Sequence, residues 1–204
     1  MPRLFTGLEI PDDVRAQLQR LAAPLPGAMW VDSRNYHVTL RFAGDIDNGR
    51  ARELAAELGR VEGRAFTMRV TGLGVFGGRD PHALWAGIEA PPELEALARA
   101  NERAARQAGL KPETRAFHPH VTLARLRHSR DDALARYLGR HGAFRSPDIF
   151  VGRFVLYSSR PTVGGGPYVV EETFGLEGGQ YAHGDHGDDD HDHDDGGGPE
   201  HGRW

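Results

Sequence analysis

Cysteine is absent from the 204 residues. Its absence excludes a disulfide framework, a thiolate zinc site, an iron–sulfur cluster and a cysteine nucleophile. Long apolar runs are absent too, and none approaches the ~20 residues that a membrane-spanning helix needs. The opening MPRLFTGLEIPDD reaches acidic residues too soon for the apolar stretch of a signal peptide. The expectation is therefore a cytoplasmic protein with no membrane partner. No GxxxxGK[ST] loop occurs, so a P-loop ATPase lacks its signature. Lysine is nearly missing: Lys111 is the one lysine among 25 cationic side chains. Arginine suits bidentate phosphate contacts, although a GC-rich genome produces the same excess.

The net charge of -4 conceals two regions. Gly179 to Trp204 holds eight acids and one base, which leaves 24 bases and 21 acids in the rest. The same stretch holds five of the 11 histidines (His183, His186, His191, His193 and His201), many glycines and almost no aliphatic residues. So little apolar surface cannot offset the entropy of ordering, and residues 179–204 are expected to form a disordered acidic tail. Interleaved His and Asp chelate divalent metals loosely, in no defined geometry; a merely solvated tail is the plainer reading. Residues 1–178 form the expected domain. Its small positive charge does not announce a duplex-binding protein, yet it permits an anionic substrate in a locally basic cleft.

Within that domain, strand-like and helix-like segments alternate. Strands are expected at Arg3 to Ile10, Tyr36 to Ala43, from Phe66 through Met68 and Val70, at His82 to Glu89, at His118 to Leu126, at Phe150 to Tyr157 and at Tyr168 to Phe174. Helical spacing marks Val14, Leu18 and Leu21, then Ala51 to Val61, then Leu94 to Ala108 closed by Gly109. Asp12 and Asp13 offer cap chemistry for the first helix. Ser129 and Asp132 resemble a capping box for a last one reaching Leu138. Hairpins suit 66–76 with 82–89 and the final strand pair. This pattern favours α+β with antiparallel sheets over a doubly wound parallel sheet.

One tetrapeptide occurs twice. His37-Val38-Thr39-Leu40 returns 83 residues later as His120-Val121-Thr122-Leu123, each copy strand-like and followed by a helix. Side chains two apart on a strand share a face, so each copy presents an imidazole beside a hydroxyl while Val points the other way. Two copies facing across a cleft would supply two imidazoles for a general acid and a general base. They would also supply two hydroxyls for the non-bridging oxygens of a phosphate. A single HVT is ordinary strand chemistry; identical copies in matching contexts point to catalysis or ligand binding.

Around these motifs the chain resembles the 2H phosphoesterase superfamily. Within it, the resemblance is to the bacterial and archaeal RNA 2′,3′-cyclic phosphodiesterases, once called 2′-5′ RNA ligases. The resemblance rests on both H-x-T-x motifs, on Arg3 to Leu8 with Pro11, and on the block Tyr36 to Gly44. It rests also on Gly74-Val75-Phe76-Gly77 with Leu84-Trp85-Ala86-Gly87, on the block Phe117 to Arg125, and on Leu156-Tyr157-Ser158-Ser159. It covers roughly residues 3–176. It implies a bilobal α+β fold, with two pseudo-symmetric antiparallel sheets forming a central cleft and helices outside. It implies hydrolysis of RNA 2′,3′-cyclic phosphate ends to 2′-phosphomonoesters, reversible 2′-5′ ligation, and no metal or other cofactor. By the same resemblance His37 donates a proton to the departing oxygen, His120 activates water, and Thr39 and Thr122 hold the phosphate. Arg125 is implied as a further phosphate contact and Phe42 as a base-stacking surface.

Strict alternation from His37 places Arg41, not Phe42, on the catalytic face, and from His120 it places Ala124 there, not Arg125. A bulge or local twist would turn Phe42 and Arg125 inward; otherwise they are a core aromatic and a solvated arginine. His118 either orients the second catalytic ring or caps its strand. Trp30 and Trp85 read as packing residues. His82, His128 and His141 read as surface or capping residues, and Arg34 and Arg115 as solvated or as steering charges. Two further readings use the same motifs: a 2H enzyme for small cyclic nucleotides or a 2′-5′ linkage, and a non-catalytic RNA or nucleotide binder. No long amphipathic interface segment stands out, so a monomer is expected.

Overall fold

Alternating apolar residues and β-branched runs become nine strands among the described residues of the computed structural model, which are 3–159 and 168–179. In chain order the elements are β1 (Arg3–Glu9), α1 (Asp12–Gln19), β2 (Ala28–Trp30), β3 (His37–Asp45), α2 (Asn48–Leu58), β4 (Phe66–Phe76) and β5 (Ala83–Glu89). They continue with α3 (Pro92–Gln107), β6 (His120–Leu126), α4 (Asp131–His141), β7 (Ile149–Val151), β8 (Arg153–Ser159) and β9 (Val169–Gly175). The expected tail, 179–204, lies outside the described residues except for Gly179. No described helix is long and apolar enough to cross a membrane.

The strands run β7-β4-β5-β6-β3-β1-β8-β9, all antiparallel, with β2 beside the end of β6. The fold is α+β, as expected. Two four-stranded halves meet between β3 and β6 at one pair, Val38 with Val121. These are the same position of the two motifs, as a pseudo-twofold axis through the pair requires. Both valines are fully buried. Beyond that pair the two strands diverge, and the divergence opens the cleft.

The repeat is deeper than four residues. β1-α1-β3-α2-β4 matches β5-α3-β6-α4-β8 in order. The third strand of each copy is exchanged: β4 pairs with β5 of the second copy, and β8 pairs with β1 of the first. Neither copy can complete its own sheet half, so the two fold as one unit. The expected strand from Phe150 to Tyr157 is divided by this exchange. β7 pairs with β4 in one half and β8 with β1 in the other, and Gly152 sits at the crossing.

Apolar faces of the helices complete a continuous core that takes in Leu18, Leu54, Leu94 and Leu134, one from each helix, with Leu84 and Leu123 from the strands. Two expected caps differ. Pro11 precedes α1 without a side-chain cap, and Asp12 and Asp13 lie in its first turn, where carboxylates favour the positive end of the helix dipole. Ser129 makes no capping box: Arg130 stands at the cap position of α4, and Asp132 pairs with Arg130 and Arg136 instead. Gly72, Gly74 and Gly77 carry a GxGxxG spacing. It runs along β4 into a hairpin turn, not from a strand into a helix, so it is no dinucleotide loop. Gly74 has a packing reason instead, because a Cβ there would lie 2.3 Å from the Trp85 ring.

Candidate active site

β3 and β6 bring His37, Thr39, His120 and Thr122 to the two lips of the cleft, half-buried, with Val38 and Val121 turned into the core. The two imidazoles are held alike. Nδ1 of His37 donates to the carbonyl of Asn35 (2.7 Å), and Nδ1 of His120 donates to the carbonyl of His118 (2.6 Å). Each acceptor lies two residues before its histidine. With the proton fixed on Nδ1, each Nε2 is left for chemistry: a base when the ring is neutral, an acid when it is cationic. The Thr39 hydroxyl lies 2.9 Å from Nε2 of His37 and donates to the neutral ring.

Strict alternation fails in both strands, and at the same place. Gly7 faces Thr39 and Thr6 faces Arg41, so Leu40 is an extra residue in β3. Trp85 faces Thr122 and Leu84 faces Ala124, so Leu123 is the extra residue in β6. These bulges exchange the faces of the two residues that follow each of them. Phe42 becomes the partner of Phe5, whose ring packs on His37, and Phe42 stands exposed on the cleft side. Arg125 returns to the face of Thr122, exposed. Arg41 and Ala124, expected on the catalytic face, are turned into the opposite layer and buried. There Arg41 pairs with Glu102 of α3 and donates to the carbonyls of Phe42 and Lys111.

The surroundings of the imidazoles differ. His37 is enclosed by Phe5 (4.9 Å between ring centroids), Tyr168 (5.2 Å) and Tyr157 (5.7 Å). The Tyr168 backbone N–H donates to the side-chain oxygen of Asn35, which fixes one wall of that enclosure to the loop holding His37. His120 meets Phe76 (4.9 Å), His118 (5.9 Å) and Trp85 (6.2 Å), and it is the more open of the two. Burial disfavours the cation in both. It pushes His37 down to about 4, against the opposing pull of the Asn35 carbonyl and with help from the nearby His120. His120 is pushed down by burial, against the opposing pull of the His118 carbonyl and with a smaller push from the His118 ring.

Several side roles are now placed. His118 orients His120 through its backbone carbonyl, while its own ring packs on Trp85 (4.8 Å) and Phe76 (5.4 Å). Trp85 is a wall of the site as well as a packing residue. Arg34 and Arg115 are each paired with a carboxylate two residues earlier, Asp32 and Glu113, and each holds that carboxyl down at about 2. Sequence reasoning missed the aromatic enclosure of His37 and the Arg41–Glu102 pair. It also missed Asn35, whose one signal was its position two before a motif histidine, matching His118. Among the described residues no group of three or more His, Asp or Glu side chains is arranged to hold a metal.

The family model described as LigT like Phosphoesterase matches this chain twice, over residues 8–85 and 88–168. The two matches begin near β1 and at the end of β5, in step with the structural repeat. Among curated proteins, an RNA 2′,3′-cyclic phosphodiesterase from Thermotoga maritima is 30% identical over 186 residues, covering 87% of this chain and 97% of its own length. One from Aeropyrum pernix is 35% identical over 133 residues, covering 64% of this chain and 73% of its own. Escherichia coli LigT, solved as a complex with 3′-AMP, superposes with a TM-score of 0.71 at 26% identity, over 86% of this chain and 99% of that one.

Proposed function

This chain belongs to the LigT-like phosphoesterase family, and from that premise we propose that it hydrolyses 2′,3′-cyclic phosphate at RNA ends to a 2′-phosphomonoester. The observation that carries the reading is the paired histidine geometry. Two imidazoles with their Nδ1 protons tied to backbone carbonyls leave two Nε2 atoms on opposite lips of one cleft.

Thr39 and Thr122 donate to the non-bridging oxygens of the cyclic phosphate. Nε2 of neutral His120, the more accessible ring, takes a proton from water as the water oxygen bonds to phosphorus. The bond from phosphorus to O3′ breaks, and O3′ takes the proton from Nε2 of cationic His37. The product carries a 2′-phosphate and a 3′-hydroxyl, and proton exchange with solvent restores the pair. Arg125 offsets charge on the phosphate oxygens, and Phe42 stacks the terminal base. Burial keeps His37 neutral at pH 7. An anionic phosphate beside the imidazoles raises their proton affinity, and His37 takes up its proton from solvent as the substrate enters. A 5′-hydroxyl in place of water would give a 2′-5′ linkage by the same proton transfers. No step requires a cofactor.

The test is incubation of the protein, with EDTA present, on a short RNA ending in a 2′,3′-cyclic phosphate. A 2′-phosphate product supports the reading. A 3′-phosphate product, or activity restored only by added metal, overturns it.

A further inference from the structure

The groove that leads away from Thr39 and His120 is larger than one nucleotide needs. Its volume is about 1040 Å³, at the top of the roughly 300–1,000 Å³ range of sites that enclose a drug-sized ligand. Two of the large apolar side chains left exposed among the described residues, Phe42 and Phe117, line it. They come from different elements that are tied together beneath. Arg41, next to Phe42, donates to the Phe42 carbonyl, to the Lys111 carbonyl (2.5 Å) and to Glu102. Glu102 also accepts from the backbone N–H of Glu113 (3.2 Å). The segment that leads to Phe117 is therefore tied at Lys111 and Glu113 to the strand that carries Phe42.

Charge in this groove is balanced. Arg99 is paired with Glu95, Arg115 with Glu113 and Arg41 with Glu102. Balanced pairs around exposed rings suit the flat faces of nucleobases better than a bare phosphate chain, because stacking on an aromatic ring accepts any base.

We infer that Phe117 is a stacking platform for the base of the penultimate nucleotide, so that the groove holds a dinucleotide end of an RNA strand, not a cyclic mononucleotide. The inference rests on the hydrolysis proposed above. With the cyclic phosphate between the histidines and the terminal base on Phe42, the strand leaves through the 5′ oxygen of that nucleotide. The open groove lined by Phe117 receives the preceding base.

The experiment compares kcat/KM for a nucleoside 2′,3′-cyclic phosphate with that for a dinucleotide and a trinucleotide ending in the same cyclic nucleotide. Wild type, Phe117→Ala and Phe117→Tyr are measured, with thermal melting as the folding control. The expected result is a dinucleotide preference of about tenfold or more in wild type, the scale of one stacked base. That preference is lost in Phe117→Ala and kept in Phe117→Tyr, with little added by the third nucleotide. Equal use of mononucleotide and dinucleotide by wild type overturns the subsite. So does a dinucleotide preference that survives in folded Phe117→Ala. Turnover of none of the three substrates by wild type instead overturns the hydrolysis on which it rests, and the subsite falls with it.

Discussion

The two halves of this molecule share a plan and differ in what surrounds it. Each half offers an imidazole and a hydroxyl two residues apart, a bulge at the leucine that follows, and a carbonyl two residues before the histidine to hold Nδ1. The shells then diverge. Two tyrosines and a phenylalanine close around His37, while Phe76, Trp85 and a third imidazole flank the more open His120. The symmetric scaffold sets where the two Nε2 atoms lie; the unsymmetric aromatics bear on how readily each ring holds a proton. The proposed duties need one ring protonated and one neutral, and because burial holds His37 down to about 4, its donor role depends on the charge of the bound phosphate and not on the enclosure.

The largest effect should come from removing either imidazole. His37→Ala and His120→Ala each should lower kcat by about 10²–10⁴-fold, read by product chromatography on a cyclic-phosphate RNA. A loss confined to one half would break the symmetric account. Next come the hydroxyls. A hydrogen bond to a charged group contributes about 1.5–3 kcal/mol. Thr39→Val and Thr122→Val should therefore each lower kcat/KM by about 10- to 100-fold, with the greater loss at Thr39, which also contacts His37 Nε2.

A smaller effect falls on stability. Arg41→Met strands Glu102, a partly buried carboxylate, and releases the Phe42 and Lys111 carbonyls. It should cost about 1–3 kcal/mol in urea unfolding. Arg125→Met, at the matching bulge but exposed, should change stability by no more than about 0.5 kcal/mol. The smallest effect belongs to the acidic tail: a chain ending at Gly179 keeps every residue assigned to the reaction, and its rate should stay within about twofold.

Much of this site is legible in one sequence because its chemistry is local. A histidine and a threonine two apart share a face on any strand, and two identical copies show that the placement matters. The bulges are not legible. Leu40 and Leu123 are ordinary strand residues, and their extra status follows from the register of β1 and β5, contacts distant in sequence. That is why Arg41 and Phe42 exchange the faces that alternation assigns them, and why Ala124 and Arg125 do the same. The enclosure of His37 is equally remote, because Phe5, Tyr157 and Tyr168 come from both ends of the chain through the exchanged strand β8. The three-residue strand β2 has no alternation to display, and the divided strand around Gly152 reads as one continuous apolar run.

The most direct test of the central claim, paired imidazoles with opposite duties, is kcat/KM against pH for wild type, His37→Ala and His120→Ala. Because burial lowers the proton affinity of both rings in the free protein, wild type should give a bell with its maximum below the ordinary imidazole pKa of about 6.5. With His37 gone, the remaining base must be neutral, so the residual rate should rise with pH to a plateau. With His120 gone, the remaining acid must be protonated, so the residual rate should fall as pH rises. Limbs lost in the opposite order would reverse the two roles, and a full bell persisting in either variant would contradict catalysis by the pair.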